Sequence, residues 1–319
     1  MITLTSENFE ARPHCPACSE RLYVELGPTC YQRAYEFPRG IVQLDESVRK
    51  QKFLVECKTC GVLYNRLIPK QETLDFLYNV PGRENVWKFN TDGRRTRQKL
   101  ALLATLKSEK TPRVLDVGCY TGEFLSMLPE NWTKHGADPN GAALDVARRR
   151  MPSGHFFPGR LQDLADSTEL GAYDLISLWD VAEHLDDADA AFRKISSLLA
   201  KGGLLVLETG DTNSNVAKVM RQGWYYVNSL EHFTFFNEKT FRKLLPKYGL
   251  KIVSCTPTIH HYPAIGEVSA QFHFLAYFAM TFGGRTNKAW LALSEILHRE
   301  GASYPPISCD HILIAAVKM

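Results

Sequence analysis

The sequence lacks any long, uninterrupted hydrophobic run. Its longest apolar stretch, residues 272–282, is interrupted by His273 and is shorter than the roughly 20 residues that a membrane-spanning helix needs. The first ten residues also lack a basic segment followed by an apolar core, which is the pattern of a secretory signal peptide. We therefore expect a cytoplasmic protein without a transmembrane segment.

A strong charge of either sign is lacking too, since the formal net charge is only +3. Basic residues cluster at 94–99 and 148–150, but both segments have helical patterning, and solvated helix faces explain them more simply. So small a surplus makes nucleic acid an unlikely partner class. With 45% hydrophobic and 23% charged residues over 319 positions, the composition is that of a globular protein with one α/β domain and a smaller unit.

Four of the eight cysteines form two C-x-x-C knuckles, Cys15 with Cys18 and Cys57 with Cys60. Each knuckle presents two thiolates from a tight turn, and four thiolates complete a tetrahedral shell for zinc. The alternative is two unrelated cysteine pairs in a reducing compartment, although redox C-x-x-C motifs seldom come as such a pair. A shell of four cysteines leaves no open position, so we predict a structural zinc that stabilises a turn-rich segment.

Residues 113–124, R-V-L-D-V-G-C-Y-T-G-E-F, read as a strand, a tight glycine turn and a helix. Such a turn lets backbone N–H groups approach a ligand, and Asp116 at the strand end can accept hydrogen bonds from a ligand ammonium or hydroxyl. The spacing of Asp116, Gly118 and Gly122 resembles the first motif of class I S-adenosylmethionine-dependent methyltransferases. Tyr120 stands where that family more often has glycine. The alternative for the glycines is helix packing alone.

The resemblance continues to residue 208 and implies further site residues. Asp138 ends the second predicted strand, where the family holds the cofactor ribose, and Asp163 falls near the expected adenine position. The alternatives are a surface aspartate before Pro139 for Asp138, and Gln162 or Leu164 as the residue nearest to the adenine.

Trp179 ends the fourth predicted strand, and Asp180 and His184 follow it. All three are expected beside the cofactor and the reacting groups. A capping or packing histidine is the alternative for His184.

Residues 211–236 are polar and aromatic without periodicity, which is typical of a functional loop. Its Glu-His-x-x-x-Phe segment is similar to one in sugar methyltransferases that also carry an N-terminal four-cysteine zinc domain. That resemblance makes His232 the first candidate for a general base, with Glu231 orienting it or acting directly. A histidine that only fixes the loop is the alternative.

The expected fold is α/β, with a doubly wound, Rossmann-like and mostly parallel seven-stranded sheet. We expect a zinc ribbon over residues 1–70, a linker and leading helix over 71–110, and the methyltransferase domain over 111–319. A helical insert at about 256–310 precedes the last strand. It could pack on the core, cover an apolar substrate, contact a membrane surface or form a homodimer.

The expected function is methyl transfer from S-adenosylmethionine to a small molecule, most favourably a nucleotide-sugar or glycan precursor. The second hypothesis is an RNA methyltransferase, which the near-neutral net charge disfavours. A non-catalytic scaffold of the same fold is the third, and the intact acidic positions and glycines argue against it.

Overall fold

The computed structural model describes residues 2–28, 42–46, 48, 53–85, 99–100, 103, 111–165, 172–258 and 310–319. No helix in that part of the chain is long and apolar enough to cross a membrane. Of the leading helix predicted before residue 110, only residues 99, 100 and 103 are described, and they are helical. Nearly all of the predicted insert lies outside the described residues. The homodimer contact predicted for the insert lies outside them as well.

The described part of the first 70 residues contains short strands. They are β1 (Ile2–Leu4), β2 (Phe9–Ala11), β3 (Tyr23–Pro28), β4 (Val42–Leu44), β5 (Phe53–Cys57), β6 (Leu63–Asn65) and β7 (Leu67–Pro69). Strand β1 pairs with β4 in parallel, β2 pairs with β7 antiparallel, and β5 lies antiparallel between β3 and β6.

The later strands build the central sheet, apart from β13. They are β8 (Arg113–Val117), β9 (Thr133–Asp138), β10 (His155–Pro158), β11 (Tyr173–Trp179), β12 (Leu199–Gly210), β13 (Thr234–Phe235), β14 (Leu250–Thr258) and β15 (His311–Lys318). The central sheet has the order β10-β9-β8-β11-β12-β15-β14, and only β15 runs against the others. The predicted Rossmann-like, mostly parallel seven-stranded sheet is confirmed.

Helices pack on both faces of this sheet and against the N-terminal unit. They are α1 (Gln71–Tyr78), α2 (Glu123–Ser126), α3 (Gly141–Arg150), α4 (Ala188–Leu198), α5 (Asn215–Met220) and α6 (Glu238–Leu244), with short 3-10 turns at Ser6–Asn8, Arg83–Asn85, Leu161–Asp163, Ala182–His184, Arg221–Gly223, Tyr225–Asn228 and Leu245–Tyr248. Helix α4 begins where the Asp187 carboxylate accepts a 2.9 Å hydrogen bond from the Ala190 N–H. Its buried residues Phe192, Ile195 and Leu198 recur at helical spacing, so one face packs on the sheet.

The bounds of the predicted insert need one correction. Strand β14 continues to Thr258, because Thr256, Pro257 and Thr258 still pair with β15. The connection between the last two strands therefore begins at residue 259 instead of 256.

The N-terminal unit is joined to the central sheet. Strand β13 pairs with β6, which makes a four-stranded sheet in the order β13-β6-β5-β3. The buried cysteines Cys15, Cys57 and Cys60 belong to the same apolar cluster as Phe241 of α6. The segment predicted as a zinc ribbon therefore shares both a sheet and a core with the rest of the chain.

Candidate functional site

Asp116 lies within β8, where the sheet is otherwise apolar, and is almost fully buried. Its Oδ1 accepts a 2.6 Å hydrogen bond from the hydroxyl of Ser177 on the neighbouring β11. Burial raises the pKa of Asp116 to about 7, although Ser177 and Lys99 act in the opposite direction. A buried carboxyl group with a raised pKa is a candidate for a functional site.

The two glycines of the turn after β8 are needed for different reasons. Both have a φ of +72°, which favours glycine. A Cβ on Gly118 would come within 2.4 Å of Val181 Cγ2. The loop that follows β11 can therefore pack against position 118 only because glycine has no side chain there. A Cβ on Gly122 would lie 2.6 Å from Met151 Cε and 3.2 Å from Ala147 Cβ. Gly122 is therefore required for packing against α3 and its C-terminal end.

Tyr120 has the left-handed conformation for which glycine is more usual, with a φ of 48°. Its hydroxyl donates a 2.6 Å hydrogen bond to the carbonyl of Arg83. Its backbone N–H donates to Oδ2 of Asp138, while the N–H of Asn140 donates to Oδ1, each at 2.8 Å. These contacts fix the carboxylate at the end of β9. Burial raises the pKa of Asp138 to about 6, against the lowering effect of the two hydrogen bonds.

Trp179 and Asp163 make mainly structural contacts. The Trp179 ring packs edge-on against Phe124 with centroids 4.8 Å apart, and the Lys99 ammonium lies 4.0 Å from the Trp179 ring centroid. Asp163 Oδ2 accepts a 2.8 Å hydrogen bond from the N–H of Arg160, and its side chain is about half exposed. Their cofactor contacts remain predictions.

Asp180 follows β11 in a left-handed conformation with a φ of 55°. Its Oδ1 lies 3.4 Å from Nε2 of His311, whose Nδ1 lies 3.0 Å from Oδ1 of Asp310. Burial alone would lower the pKa of His311, but these two carboxylates raise it to about 10. His311 is therefore an imidazolium at neutral pH, held between two acidic residues.

Glu183, His184 and His232 form a compact group that we call the histidine cluster. Glu183 Oε1 lies 4.0 Å from Nε2 of His184 and 4.0 Å from Nε2 of His232, and the two rings stand edge to face with centroids 4.8 Å apart. His232 Nδ1 is 2.8 Å from the carbonyl of Tyr226, so it donates and Nε2 faces Glu183. His184 Nδ1 is 3.2 Å from the hydroxyl of Tyr78.

Within the histidine cluster Glu183 is fully buried and both histidines are mostly buried, and this burial shifts the ionisation of Glu183 and His184. Burial raises the pKa of Glu183 above its usual value, and the nearby charge of Asp180 acts in the same direction. Burial and the charge of Arg83 lower the pKa of His184 to about 4. His184 is therefore neutral at physiological pH, with a lone pair on one ring nitrogen.

Glu231 points away from the histidine that follows it. Its Oε2 forms a 2.7 Å ion pair with the Arg83 guanidinium, and both side chains are buried. Arg83 also stacks on Tyr78, with 5.3 Å from its Cζ to the ring centroid. The hydrogen bond that orients the His232 ring thus comes from Tyr226, while Glu231 fixes the loop through Arg83.

The N-terminal unit holds the backbone on both sides of His232. Asn65 Nδ2 donates a 2.9 Å hydrogen bond to the carbonyl of His232, and the Asn65 N–H donates to the carbonyl of Phe233 at 2.9 Å. Buried Arg12 donates to the Asp186 carbonyl at 2.8 Å and to the hydroxyl of Thr234 at 3.1 Å. The position of His232 therefore depends on residues more than 160 positions earlier in the chain.

The four knuckle cysteines are brought together as the sequence predicts. Cys15 Sγ lies 3.6 Å from Cys60 Sγ, Cys18 Sγ lies 3.5 Å from Cys57 Sγ, and all four sulfur atoms lie within 4.8 Å of one another. Thiolates bound to zinc at about 2.3 Å stand slightly under ~4 Å apart, so the sulfur positions fit one tetrahedral ion.

Comparison with known proteins decides the family of this chain. A family model described as a methyltransferase domain matches residues 88–255, which is more than half of the 319 residues. The chain belongs to this methyltransferase family. The glycine turn, Asp116, Asp138 and the histidine cluster all lie within the matched methyltransferase region.

Two curated methyltransferases illustrate the similarity. A ubiquinone biosynthesis O-methyltransferase of Psychrobacter cryohalolentis is 32% identical over 111 residues, which cover 32% of this chain and 42% of that protein. A trans-aconitate 2-methyltransferase of Rhizobium leguminosarum is 26% identical over 238 residues, covering 69% of this chain and 90% of that protein. The matched part thus spans less than half of the ubiquinone relative.

A solved structure shows the same fold. It is one chain of the complex between the Trm112 methyltransferase activator of Haloferax volcanii and a methyltransferase, with a TM-score of 0.50 and 16% sequence identity. The likeness covers 75% of this chain and 94% of that chain.

Sequence reasoning about this methyltransferase missed Glu183, Arg83 and the contact between Tyr78 and His184. Glu183 was overlooked beside His184, although an acidic residue next to a candidate histidine after the fourth strand is a usable signal. Arg83 falls in a stretch where the helical pattern breaks, and nothing in its neighbours predicts its pairing with Glu231. The hydrogen bond of Tyr78 to His184 joins residues 106 positions apart, which no local pattern indicates.

Proposed function

We propose that this protein transfers a methyl group from S-adenosylmethionine to a small-molecule acceptor, with a nucleotide-sugar or glycan precursor as the substrate class. The observation that best supports this function is that Asp116, the glycine turn and Asp138 lie at the same edge of the sheet. After β8 the chain adds β9 and β10 on one side of that strand and then crosses over to add β11 and β12 on its other side. The strand order therefore reverses at β8. Open parallel sheets bind ligands at such a point.

The residues at this edge fit the cofactor. Two backbone N–H groups fix the Asp138 carboxylate, whose remaining lone pairs can accept hydrogen bonds from the two ribose hydroxyls. Asp116 would accept from the ammonium group or a hydroxyl, and Gly118 lets the backbone approach. Tyr120, Gly122, Asp163, Trp179 and Asp180 complete the proposed cofactor site as supporting residues.

When bound, S-adenosylmethionine supplies an electrophilic methyl group. The protein must align the acceptor and remove its proton. We assign proton removal to Nε2 of His232, because the hydrogen bond of Nδ1 to the Tyr226 carbonyl leaves Nε2 as the basic nitrogen. His184 is the second candidate. Glu231 positions this loop through its ion pair with Arg83.

A small acceptor fits better than RNA. The names of the two curated relatives refer to small molecules, ubiquinone and trans-aconitate. The net charge of +3 is low for a protein that must hold a polyanion. The four-cysteine unit and the Glu231-His232 segment together resemble sugar methyltransferases, which favours the nucleotide-sugar class.

We further propose that Cys15, Cys18, Cys57 and Cys60 bind a structural zinc ion. Strand β6, which follows the second knuckle, pairs with β13 and carries Asn65, which holds the His232 carbonyl. The bound metal would stabilise this unit and with it the loop that carries His232.

A methyl-transfer assay tests the proposed function. The zinc-analysed protein is incubated with methyl-labelled S-adenosylmethionine and separate pools of nucleotide-sugars, glycan precursors, phenolic and carboxylic acids, and RNA. We expect label in the nucleotide-sugar or glycan pool, and its loss in Asp138→Asn. The Asp174→Asn variant is the matched control, because this carboxylate accepts a hydrogen bond from Arg113 at the opposite edge of the sheet.

Label found only in RNA would contradict the proposed acceptor class. Cofactor binding without transfer to any pool would support the non-catalytic scaffold instead.

A further inference from the structure

We propose that Glu183, His184 and His232 bind a divalent transition-metal cation. Each residue directs one ligand atom into the same space, Oε1 from the glutamate and Nε2 from each histidine, and these atoms lie within 4.8 Å of one another. Two imidazole nitrogens and one carboxylate oxygen form a ligand set used by zinc and iron, with positions left for water or substrate. This second metal site is distinct from the four cysteines.

The strongest observation is the state of the Glu183 carboxylate. The residue has no exposed surface, and its Oε1 has no partner with hydrogen-bond geometry among the described residues, although the Tyr226 hydroxyl also interacts with this carboxylate. The two histidine nitrogens nearest to it are 4.0 Å away, too far for a hydrogen bond. A buried carboxylate oxygen that lacks a partner is costly, and a cation bound between Glu183 and the histidines would remove that cost.

The separations suit a shared cation. Bonds from a transition metal to histidine nitrogen or carboxylate oxygen are about 2.0–2.2 Å long, so two ligand atoms on one ion lie about 3–4 Å apart. The 4.0 Å separations of Glu183 Oε1 from both nitrogens lie at the upper end of that range. Binding would draw both histidine nitrogens closer to Glu183 Oε1 than their present 4.0 Å.

Each proposed ligand is also held by a partner on its other side. His232 Nδ1 donates to the Tyr226 carbonyl at 2.8 Å, and His184 Nδ1 lies 3.2 Å from the Tyr78 hydroxyl. Glu183 Oε2 accepts a 2.7 Å hydrogen bond from the Thr209 hydroxyl. Such outer partners fix the ring nitrogen that faces the metal and orient the carboxylate, as in established metal sites.

The proposal changes the role of His232. If Nε2 binds a cation, that nitrogen cannot also take a proton from the acceptor, so an occupied metal site replaces the general-base role of His232. A cation here would instead coordinate an acceptor hydroxyl and lower its pKa. This consequence rests on the proposed methyl transfer, whereas metal binding itself does not.

Cobalt titration of the full-length protein tests the site without cofactor or acceptor. The protein is dialysed against a weak chelator, its remaining cysteine-bound zinc is counted, and Co²⁺ is added while heat and visible absorption are recorded. We expect one equivalent of Co²⁺ to bind without a thiolate charge-transfer band. Binding should weaken at least ~100-fold in Glu183→Gln and His232→Gln. The matched control is His155→Gln, an exposed histidine of β10, in which Co²⁺ binding is expected unchanged.

Two results would overturn the proposal. One is that the folded protein binds no Co²⁺, Zn²⁺ or Mn²⁺ beyond the zinc ion held by the four cysteines. The other is a cation whose affinity is unchanged in both cluster variants. Should these variants fail to fold, Tyr78→Phe removes only the outer partner of His184. It is expected to weaken Co²⁺ binding about 10-fold, and unchanged affinity would again contradict the site.

Discussion

The cofactor edge, formed by Asp116, Gly118 and Asp138, and the histidine cluster lie at the same edge of the sheet but are built differently. Residues of the cofactor edge occupy a strand end or the turn that follows it, so each is placed by a few neighbours in sequence. The histidine cluster joins the turn after β11 to a loop held by Asn65 of the N-terminal unit. Short-range structure thus makes the cofactor site, whereas long-range contacts make the proposed acceptor site.

Breaking the buried ion pair between Arg83 and Glu231 should cause the largest loss of stability among the changes near the histidine cluster. In Arg83→Met the Glu231 carboxylate stays buried without its 2.7 Å partner, so the free energy of unfolding should fall by about 3–5 kcal/mol. Urea denaturation measures the change. The double variant Arg83→Met/Glu231→Gln should recover much of the loss. No recovery in the double variant would show that Arg83 acts through other contacts.

On the cofactor side, Gly118→Ala should lower the free energy of unfolding by about 3 kcal/mol. The alanine would have to keep a left-handed φ, and its Cβ would lie only 2.4 Å from Val181 Cγ2. Gly249→Ala is the matched control, because Gly249 has a φ of +70° but no atom within 4 Å of the added Cβ. It should cost only about 1–2 kcal/mol. Equal losses would mean that the close approach at Gly118 has no energetic importance.

Asp138→Asn should weaken S-adenosylmethionine binding by about 1.5–3 kcal/mol, because the carboxylate accepts hydrogen bonds more strongly than an amide. The pKa of Asp138 is raised to about 6, so the ionised form predominates above that pH and is lost below it. Wild-type affinity should therefore fall more steeply than that of the variant as the pH drops from 7 to 5, because in the variant only Asp116, with a pKa of about 7, still takes up a proton at the cofactor edge. Calorimetry across this pH range measures both. The same pH dependence in both proteins would assign it to another group.

The smallest effect should come from Asn65→Ala, which removes the 2.9 Å hydrogen bond to the His232 carbonyl. Stability should fall by only about 1 kcal/mol. Turnover should drop more than cofactor affinity, because His232 loses its position while Asp138 does not. A drop in cofactor affinity as large as the drop in turnover would contradict the separation of the two regions.

The same distinction explains what the sequence could predict. Asp116 and Asp138 were predicted at the ends of two strands and Gly118 in the turn after the first of them, where the structure also has them, because strand alternation and turn chemistry act over a few residues. Adjacency in sequence was a poorer guide to side-chain direction. Glu231 was expected to orient His232, yet it pairs with Arg83, 148 positions earlier.

Some features were foreseen only in part. The departure at Tyr120 was visible in the sequence, but its left-handed backbone and its contact with the Arg83 carbonyl depend on a distant turn. The cysteine knuckles were recognised from their spacing. That their unit shares strand pairing with the loop after His232 could not be read from any single segment, because β6 and β13 are far apart in the chain.

The most direct test of the account is calorimetric titration of S-adenosylmethionine into three folded proteins: wild type, Asp138→Asn and Glu183→Gln. We predict micromolar-range binding by wild type, marked weakening in Asp138→Asn, and nearly wild-type affinity in Glu183→Gln. Lack of binding by the zinc-loaded wild type would contradict the proposed function. Equal weakening in both variants would contradict the division between the cofactor edge and the histidine cluster.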